Sequence, residues 1–395
     1  MRKDWEIKNL GEIGKPSMCK RILKSQTSST GEIPFYKIGT FGKKPDAFIS
    51  KEIYNEFRTK YSFPKKGDIL ISASGTIGRR VRYDGKPAFF QDSNIVWIDN
   101  DEKQVLNDYL YIFYEFCDWQ PSKGATISRL YNSDLTSIKI AFPKTHSEQK
   151  EIILILNDAF ESIERAKSNA EQNLKNAKEL FESYLQNIFH KKGDEWEEKK
   201  LDEIAEVEYG YTDKSKEEGH YRYIRITDID KNGELILSEK KYINYSKEAS
   251  GFIVQNNDLL MARTGATFAK VLLYDGDEPS VFASYLIRIK FKVNIENELY
   301  WYFTKTPNYW EQANSLQSGA AQPHFNGAAV KQVIFPYPKS VTEQKRLIHS
   351  FQRLSKETKK LEIIYQQKLN DLEELKKSIL QKAFNGELKT SKTPA

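Results

Sequence analysis

Two cysteines, Cys19 and Cys117, three methionines and five histidines are all that 395 residues provide of the soft and imidazole ligands. The cysteine spacing fits neither a zinc site nor a disulfide framework, so both thiols read as ordinary packing in a reducing compartment. His146, His190, His220, His324 and His349 show no His-x-x-x-His spacing, and no metal site is expected. No apolar run approaches the roughly 18 residues of a membrane span. The opening Met1-Arg2-Lys3-Asp4-Trp5-Glu6 lacks the apolar core of a secretory signal, and a cytoplasmic location is expected. Catalytic motifs are missing as well. There is no Asn-Pro-Pro-Tyr or Asp-Pro-Pro-Tyr element for amino methylation and no Gly-rich loop opening a helix after a strand. The stretch Gly39-Thr40-Phe41-Gly42-Lys43-Lys44 has the wrong spacing for a phosphate loop. Pro45-Asp46 invites comparison with a nuclease motif, but Asp101-Glu102-Lys103 follows too late. These absences predict a chain that is not an enzyme by itself.

What is present is charge and repetition. The charged share is 29% and the hydrophobic share 39%, which suits a soluble chain with long, wet helices. The net charge of +6 is unevenly spread. Residues 1–145 carry 24 basic against 17 acidic side chains, and residues 341–395 carry 12 against 7. The central stretches 146–195 and 196–340 each lean acidic, at 7 against 10 and 18 against 21. A basic unit suits phosphate binding through counterion release, whereas any basic face in the second half must be local.

The chain is written twice. Trp5-Glu6-Ile7-Lys8-Asn9-Leu10-Gly11-Glu12-Ile13 returns as Trp196-Glu197-Glu198-Lys199-Lys200-Leu201-Asp202-Glu203-Ile204. Phe142-Pro143-Lys144 followed by Ser147-Glu148-Gln149-Lys150 returns as Tyr337-Pro338-Lys339 followed by Thr342-Glu343-Gln344-Lys345. Offsets of 191 and 195 describe one long duplicated unit rather than a solenoid repeat.

Within each copy a strand-rich mixed domain precedes a long helix. Ile33–Ile38, Asp68–Ser72 and Ile95–Ile98 read as strands between Gly, Pro and Asp punctuation, and Leu106–Cys117 as a helix. From Ser147 the positions Leu156, Phe160, Ile163, Lys167, Ala170, Leu174, Ala177, Phe181, Tyr184 and Ile188 alternate four and three apart. That spacing is a coiled-coil seam broken only by Lys167. A second seam runs through Leu347, Phe351, Leu354, Thr358, Leu361, Tyr365, Leu369, Leu372, Lys376, Ile379 and Ala383. Thr145-His146-Ser147-Glu148 and Ser340-Val341-Thr342-Glu343 read as capping boxes. The expected boundaries are a first domain at 1–145, a central helix at 146–195, a second domain at 196–340, and a distal helix with tail at 341–395. The predicted class is α+β, with the two helices paired as an antiparallel coiled coil in a pseudo-two-fold arrangement; dimerisation of each helix with another chain is the alternative.

The duplicated opening, the duplicated Pro and Glu-Gln-Lys motifs and the terminal Leu380-Gln381-Lys382-Ala383-Phe384-Asn385-Gly386-Glu387-Leu388 resemble the specificity subunit of a Type I restriction-modification system. The resemblance covers nearly the whole chain. It implies that each domain recognises one half of a bipartite double-stranded DNA target. It further implies helices that fix the gap and dock two modification subunits, with restriction (translocase) subunits joining for cleavage. Methylation and cleavage would then reside on those partners, together with S-adenosylmethionine, ATP and Mg, and this chain would hold no cofactor. Open alternatives are a stand-alone coiled-coil DNA-binding scaffold and the recognition module of a related fused restriction system.

Base reading calls for Arg or Lys, Asn or Gln, and small hydroxyls. In the first domain the candidates are Lys37 and Thr40 after one strand, Ser74, Thr76, Arg79 and Arg80 around Gly75 and Gly78, and Lys123, Thr126, Ser128 and Arg129 around Gly124. In the second they are Arg225, Thr227 and Asp228, then Arg263, Thr264 and Thr267, then Gln317, Ser318, Gln322, His324 and Asn326 around Gly319. The alternative for each is a solvated turn residue. The aromatics, including Tyr109, Tyr111, Phe113, Tyr114 and Phe116, are expected in the core, and Trp5 and Trp196 are expected to pack against their domains.

Overall fold

A computed structural model describes residue 2 and residues 4–119, 122–123, 128–318 and 324–390, with the backbone alone for 122, 123 and 266. The chain divides into two compact units: Met1–Asn169 with Lys368–Ala395, and Ala170–Gln367.

The first unit runs β1 (Trp5–Asn9), α1 (Leu10–Ile13), β2 (Gly14–Ser17), β3 (Ile33–Tyr36), β4 (Phe48–Ile49), α2 (Lys51–Lys60), β5 (Ile69–Ser72), β6 (Arg80–Arg82), β7 (Phe89–Phe90) and β8 (Ile95–Asn100). It continues through α3 (Asn107–Phe116), β9 (Ser122–Lys123), β10 (Ser128–Arg129), α4 (Asn132–Ser137) and β11 (Lys139–Pro143) into α5 (His146–Lys191). The strands form a four-stranded sheet β2-β8-β5-β6, a three-stranded sheet β4-β3-β7, the pair β1-β11 and the pair β10-β9.

The second unit repeats the order with β12 (Trp196–Lys200), α6 (Leu201–Ile204), β13 (Ala205–Tyr209), β14 (Tyr221–Ile224), β15 (Tyr242–Ile243), β16 (Leu259–Ala262), β17 (Val271–Leu273), β18 (Ser280–Phe282) and β19 (Leu286–Phe291). Then come α7 (Asn297–Phe303), α8 (Pro307–Leu316), α9 (Gly327–Lys331), β20 (Ile334–Pro338) and α10 (Val341–Phe384). Its sheets, β13-β19-β16-β17, β15-β14-β18 and β12-β20, are those of the first unit. The expected α+β class, strand-rich domains alternating with two long helices, is what the chain adopts.

Successive side chains on a strand point to opposite faces, and here both faces are covered. Ile69, Ile71, Val96 and Ile98 enter a core with α3, while Leu70, Ile95 and Trp97 enter a second core with β3, β4 and β7. In the second unit Leu259, Met261, Ile287 and Ile289 face one core and Leu260, Ala262 and Leu286 the other. The uninterrupted apolar runs follow from this double burial. Most of the expected core aromatics are buried, Tyr109, Phe113 and Tyr114 among them, as are Tyr300 and Tyr309; Tyr111 is only partly buried, and Phe116, at the end of its helix, is exposed, contrary to expectation.

In the first unit the helices pack antiparallel. Near the start of α5 Glu148 meets Thr390 at 3.3 Å, and further along Lys167 meets Glu373 at 3.4 Å. Leu156 and Phe160 share a core with Ile379, Leu380, Ala383 and Phe384, and the same core takes in Trp5. In the second unit the later part of α5 packs on the earlier part of α10, with Tyr184 and Phe189 ring centroids 6.0 and 5.9 Å from Phe351. Thr358, a polar member of the seam, is buried with its hydroxyl donating to the Leu354 carbonyl at 3.0 Å. This back-bonding satisfies it within the helix. Leu361 departs from the expected seam and is exposed.

The duplicated Glu-Gln-Lys motif has a structural explanation centred on its glutamine. Gln149 is fully buried; its Oε1 accepts from Leu106 N–H at 2.9 Å and its Nε2 donates to the Gln104 and Pro143 carbonyls at 2.7 and 2.9 Å. Gln344 repeats the arrangement on Glu296 N–H, Asn294 O and Pro338 O at 2.9, 3.1 and 2.8 Å. One side chain thus ties a long helix to the preceding strand and to the loop before α3 or α7. The hydroxyls of the expected capping boxes do accept from Glu148 and Glu343 N–H, both at 3.4 Å. The two glutamates turn elsewhere, Glu148 to Arg2 at 2.8 Å and Glu343 to Arg346 at 2.6 Å.

Candidate nucleic-acid interface

The candidate residues gather where strands end. β5 runs into Ser74-Gly75 and β16 into Thr264-Gly265, with both glycines in the left-handed region at φ +66° and +77°. A side chain at either position would be strained, and the glycine lets the chain turn sharply. Leu130 N–H donates to the Ala73 carbonyl, and Phe325 N–H donates to the Arg263 carbonyl, both at 2.9 Å. Bridges Ser74–Arg129 and Thr264–His324 fasten the flanking segments beside these turns. On the other side Ala73 N–H donates to Asn94 O at 2.7 Å and Arg263 N–H to Tyr285 O at 3.1 Å.

The turns after β3 and β14 complete each cluster. Thr40 Oγ1 accepts from Lys37 N–H at 3.1 Å, and Asp228 Oδ2 accepts from Arg225 N–H at 2.8 Å. A Cβ added at Gly75 or Gly265 would meet the Ile38 or Ile226 side chain at ordinary van der Waals distance, so these isoleucines border the two turns. Among the described residues the structure brings 37–40, 74–80 and 128–129 together in the first unit, and 225–228, 263–267, 318 and 324–326 in the second.

The polar side chains divide by whether their charge is already matched. Arg225 forms a two-point pair with the buried Asp228, Nε–Oδ2 3.1 Å and Nη2–Oδ1 2.7 Å, which raises the guanidinium pKa further. Arg80 pairs with Glu115 at 2.6 Å and lies over the Tyr111 ring at 4.5 Å. Lys37 contacts Asp46 at 2.8 Å, but both ends are exposed and the pair is weak. Arg79 donates to the Phe41 carbonyl at 3.0 Å, and Ser74 to Asn94 Oδ1 at 2.8 Å. Thr264 is buried; Asn326 caps α9 by accepting from Ala329 N–H at 2.9 Å. Thr76, Ser128, Thr227, Gln317, Ser318 and His324 are exposed, and Thr267 is partly so. The Lys123 side chain, Thr126 and Gln322 lie outside the described residues.

Arg129 and Arg263 differ from Arg80 and Arg225: among the described residues neither has a carboxylate partner. Arg129 Nη2 donates to the Ser93 carbonyl at 2.7 Å, and Arg263 Nη1 to the Ser284 carbonyl at 3.3 Å. Arg263 also sits over Tyr209 and Tyr285, 5.0 and 5.9 Å from the ring centroids. A groove of about 570 Å³ in the first unit is lined by Lys37 and Arg129 together with Arg21, Lys24, Thr27, Gln91, Asp92, Ser93 and Asn94. Arg21, Lys24, Asn94 and Tyr285 escape a reading of polar residues near glycines. The repeat offset of 191, which aligns Ser93-Asn94 with Ser284-Tyr285, is the signal that finds the last two.

Such surfaces offer cations, amides and hydroxyls, with Asp46, Asp92 and Asp228 as the acids beside them. No group of three or more potential metal ligands occurs among the described residues, and no helix there is long and apolar enough to cross a membrane.

Comparison with known proteins is consistent with this division. The family model described as Type I restriction modification DNA specificity domain matches twice, over residues 2–174 and 193–374. A Haemophilus influenzae protein, provisionally named a type I restriction enzyme specificity subunit, is 61% identical over 158 residues. That match spans 40% of this chain and 40% of the relative. A chain solved in work on complex assembly and conformational transition of the type I R-M system superposes with a TM-score of 0.76 at 14% identity, covering 98% of this chain and 99% of that one. The HsdS subunit from Thermoanaerobacter tengcongensis gives 0.63 at 15% identity, covering 98% of each chain.

Proposed function

Because this chain belongs to the Type I restriction-modification DNA specificity family, we propose that it selects the DNA site for a methylating and cleaving assembly, each unit reading one half of a bipartite duplex target. The observation that carries this reading is the constellation built twice: a strand-end glycine at positive φ, a bridged flanking segment, and an arginine without a carboxylate partner among the described residues. Phosphate contacts position a protein and base contacts specify sequence. The groove cations Arg21, Lys24 and Lys37 suit the first task, and Ser74, Arg129, Arg263, His324 and their neighbours suit the second.

In this reading α5 and α10 are the spacer and the docking surface for two modification subunits, which restriction subunits join. S-adenosylmethionine, ATP and Mg belong to those partners, in the cytoplasm. A stiff helix pair holds two readers at a set spacing, whereas a flexible linker would let it wander. Readers on one face of B-DNA sit about 34 Å apart per helical turn.

The test is to co-express the chain with a modification subunit of its own restriction-modification system and map N6-methyladenine across the genome. A split motif with a constant gap, lost on deletion of this chain, is expected. An assembled complex that deposits no such motif refutes the proposal.

A further inference from the structure

The two units place an arginine at the same point of the fold, but from different positions in the chain. Backbone hydrogen bonding makes Ala73 the counterpart of Arg263, since each accepts from the residue after the bridge and donates to the residue before β8 or β19. The bridges make Arg129 the counterpart of His324, and Ser93 the counterpart of Ser284. In the first unit the strand end carries Ala73, wholly buried, and the flanking segment supplies Arg129. In the second the strand end supplies Arg263 and the flanking segment carries His324. Both guanidinium groups converge on one anchor, the carbonyl of Ser93 at 2.7 Å or Ser284 at 3.3 Å.

Chance placement of surface arginines does not explain a shared anchor reached from two chain positions. Neither arginine is neutralised by a carboxylate among the described residues, although Arg80, Arg82, Arg222, Arg225 and Arg288 all are. A guanidinium has five N–H donors, and the anchor uses one, which orients the fork and leaves the others to bind. The acceptor pair that fits this fork in a major groove is O6 and N7 of guanine. The geometry points to Arg129 and Arg263 as equivalent specificity-determining residues, each reading a guanine at the corresponding position of its own half-site. The inference rests on the proposal that the units read DNA and adds which residue reads and what base.

Its test uses the complete chain reconstituted with its modification subunit, methylating a DNA library randomised in both half-sites. Arg129→Ala should lower discrimination at a single guanine of one half-site by about 5- to 150-fold, and Arg263→Ala at a single guanine of the other. The reverse graft, Arg263→Ala with His324→Arg, moves the guanidinium to the position used by the first unit and should restore the guanine preference. Thermal melts of the three variants identify any that fail to fold, and the remaining variants still decide. Unchanged discrimination in both single variants overturns the inference. So does a uniform loss over all sequences with a shallower salt dependence, the mark of a phosphate contact. If the unsubstituted complex itself selects no bipartite sequence, the failure lies in the proposed function and not in the choice of residue.

Discussion

Replacing Gln344 by methionine keeps the volume of the side chain and removes its hydrogen bonding. Gln344 is completely buried and its bond to Pro338 O is closed to solvent, whereas Glu296 N–H and Asn294 O lie at partly exposed residues. A buried backbone group stripped of its partner costs about 1–3 kcal/mol. Pro338 O alone sets about 1–3 kcal/mol, and the two partly hydrated groups add less, which is still a large share of the 5–15 kcal/mol that holds a typical domain. Gln344→Glu should be worse than Gln344→Met, because a carboxylate keeps the acceptor for Glu296 N–H but turns charged oxygen toward two carbonyls. The units need not unfold together, so a single melting temperature is a poor measure. Hydrogen exchange followed by mass spectrometry in graded urea resolves the second unit from the first. Protection should fall around β20, α7 and the start of α10 in Gln344 variants, and around β11, α3 and the start of α5 in Gln149→Met. A Gln344→Met change within 0.5 kcal/mol of the parent, or Glu tolerated better than Met, would refute the reasoning.

Four further outcomes are expected. Arg288 is buried and bridges Glu208 at 2.6 Å and Asp258 at 3.2 Å; Arg288→Met removes charge-assisted hydrogen bonds to carboxylates that stay partly hydrated, with Lys290 still beside Glu208, and should destabilise the second unit by about 1.5–3 kcal/mol in urea. Burial alone would raise the Glu208 pKa, but Arg288 holds the carboxyl below its ordinary value of 4.5, so this contribution is complete above that pH and is lost as acid titrates the folded form, in an acid melt of the second unit. Matched seven-residue insertions at the unit boundaries, after Asn169 and after Gln367, lengthen each helix by about 10 Å. At about 3.4 Å per base pair that should widen the methylated motif's gap by about three, and an unchanged gap in an active complex sinks the spacer role. Burial pushes the Cys19 thiol up to about 12, so iodoacetamide at pH 8 should leave it unmodified in the folded chain and label it in urea; rapid labelling without denaturant contradicts its burial.

Periodicity and repetition made the scaffold legible. The seam spacing pointed to long helices because an apolar stripe on an exposed helix needs a partner, and the buried Leu156, Ile163, Ala170 and Ala177 lie on it. Strand runs such as Ile69–Ser72 were legible because double burial demands continuous apolar residues. The role of Gln149 and Gln344 was not legible, since a glutamine beside a capping motif looks like a solvated helix start. Only the fold brings Leu106 and Glu296 within reach.

The candidate interface was half legible for a related reason. Glycine and hydroxyl clusters mark where strands end, and Ser74–Gly75 and Thr264–Gly265 were visible that way. Charge matching was not, because a sequence does not reveal that Arg225 closes on Asp228 three residues on while Arg263 meets no acid among the described residues. Position-by-position comparison of the two copies also fails at the most informative place, since it sets Arg129 against His324 and Ala73 against Arg263. A scaffold constrained by its core must keep residue and position together: a side chain displaced from a close-packed interior leaves a cavity. A binding surface is constrained only by where the functional group arrives, so the guanidinium is free to move between neighbouring strand ends that share an anchor. On the proposed function, that freedom would let the two units differ in what they read while Gln149, Gln344 and the paired strands keep the same place in both.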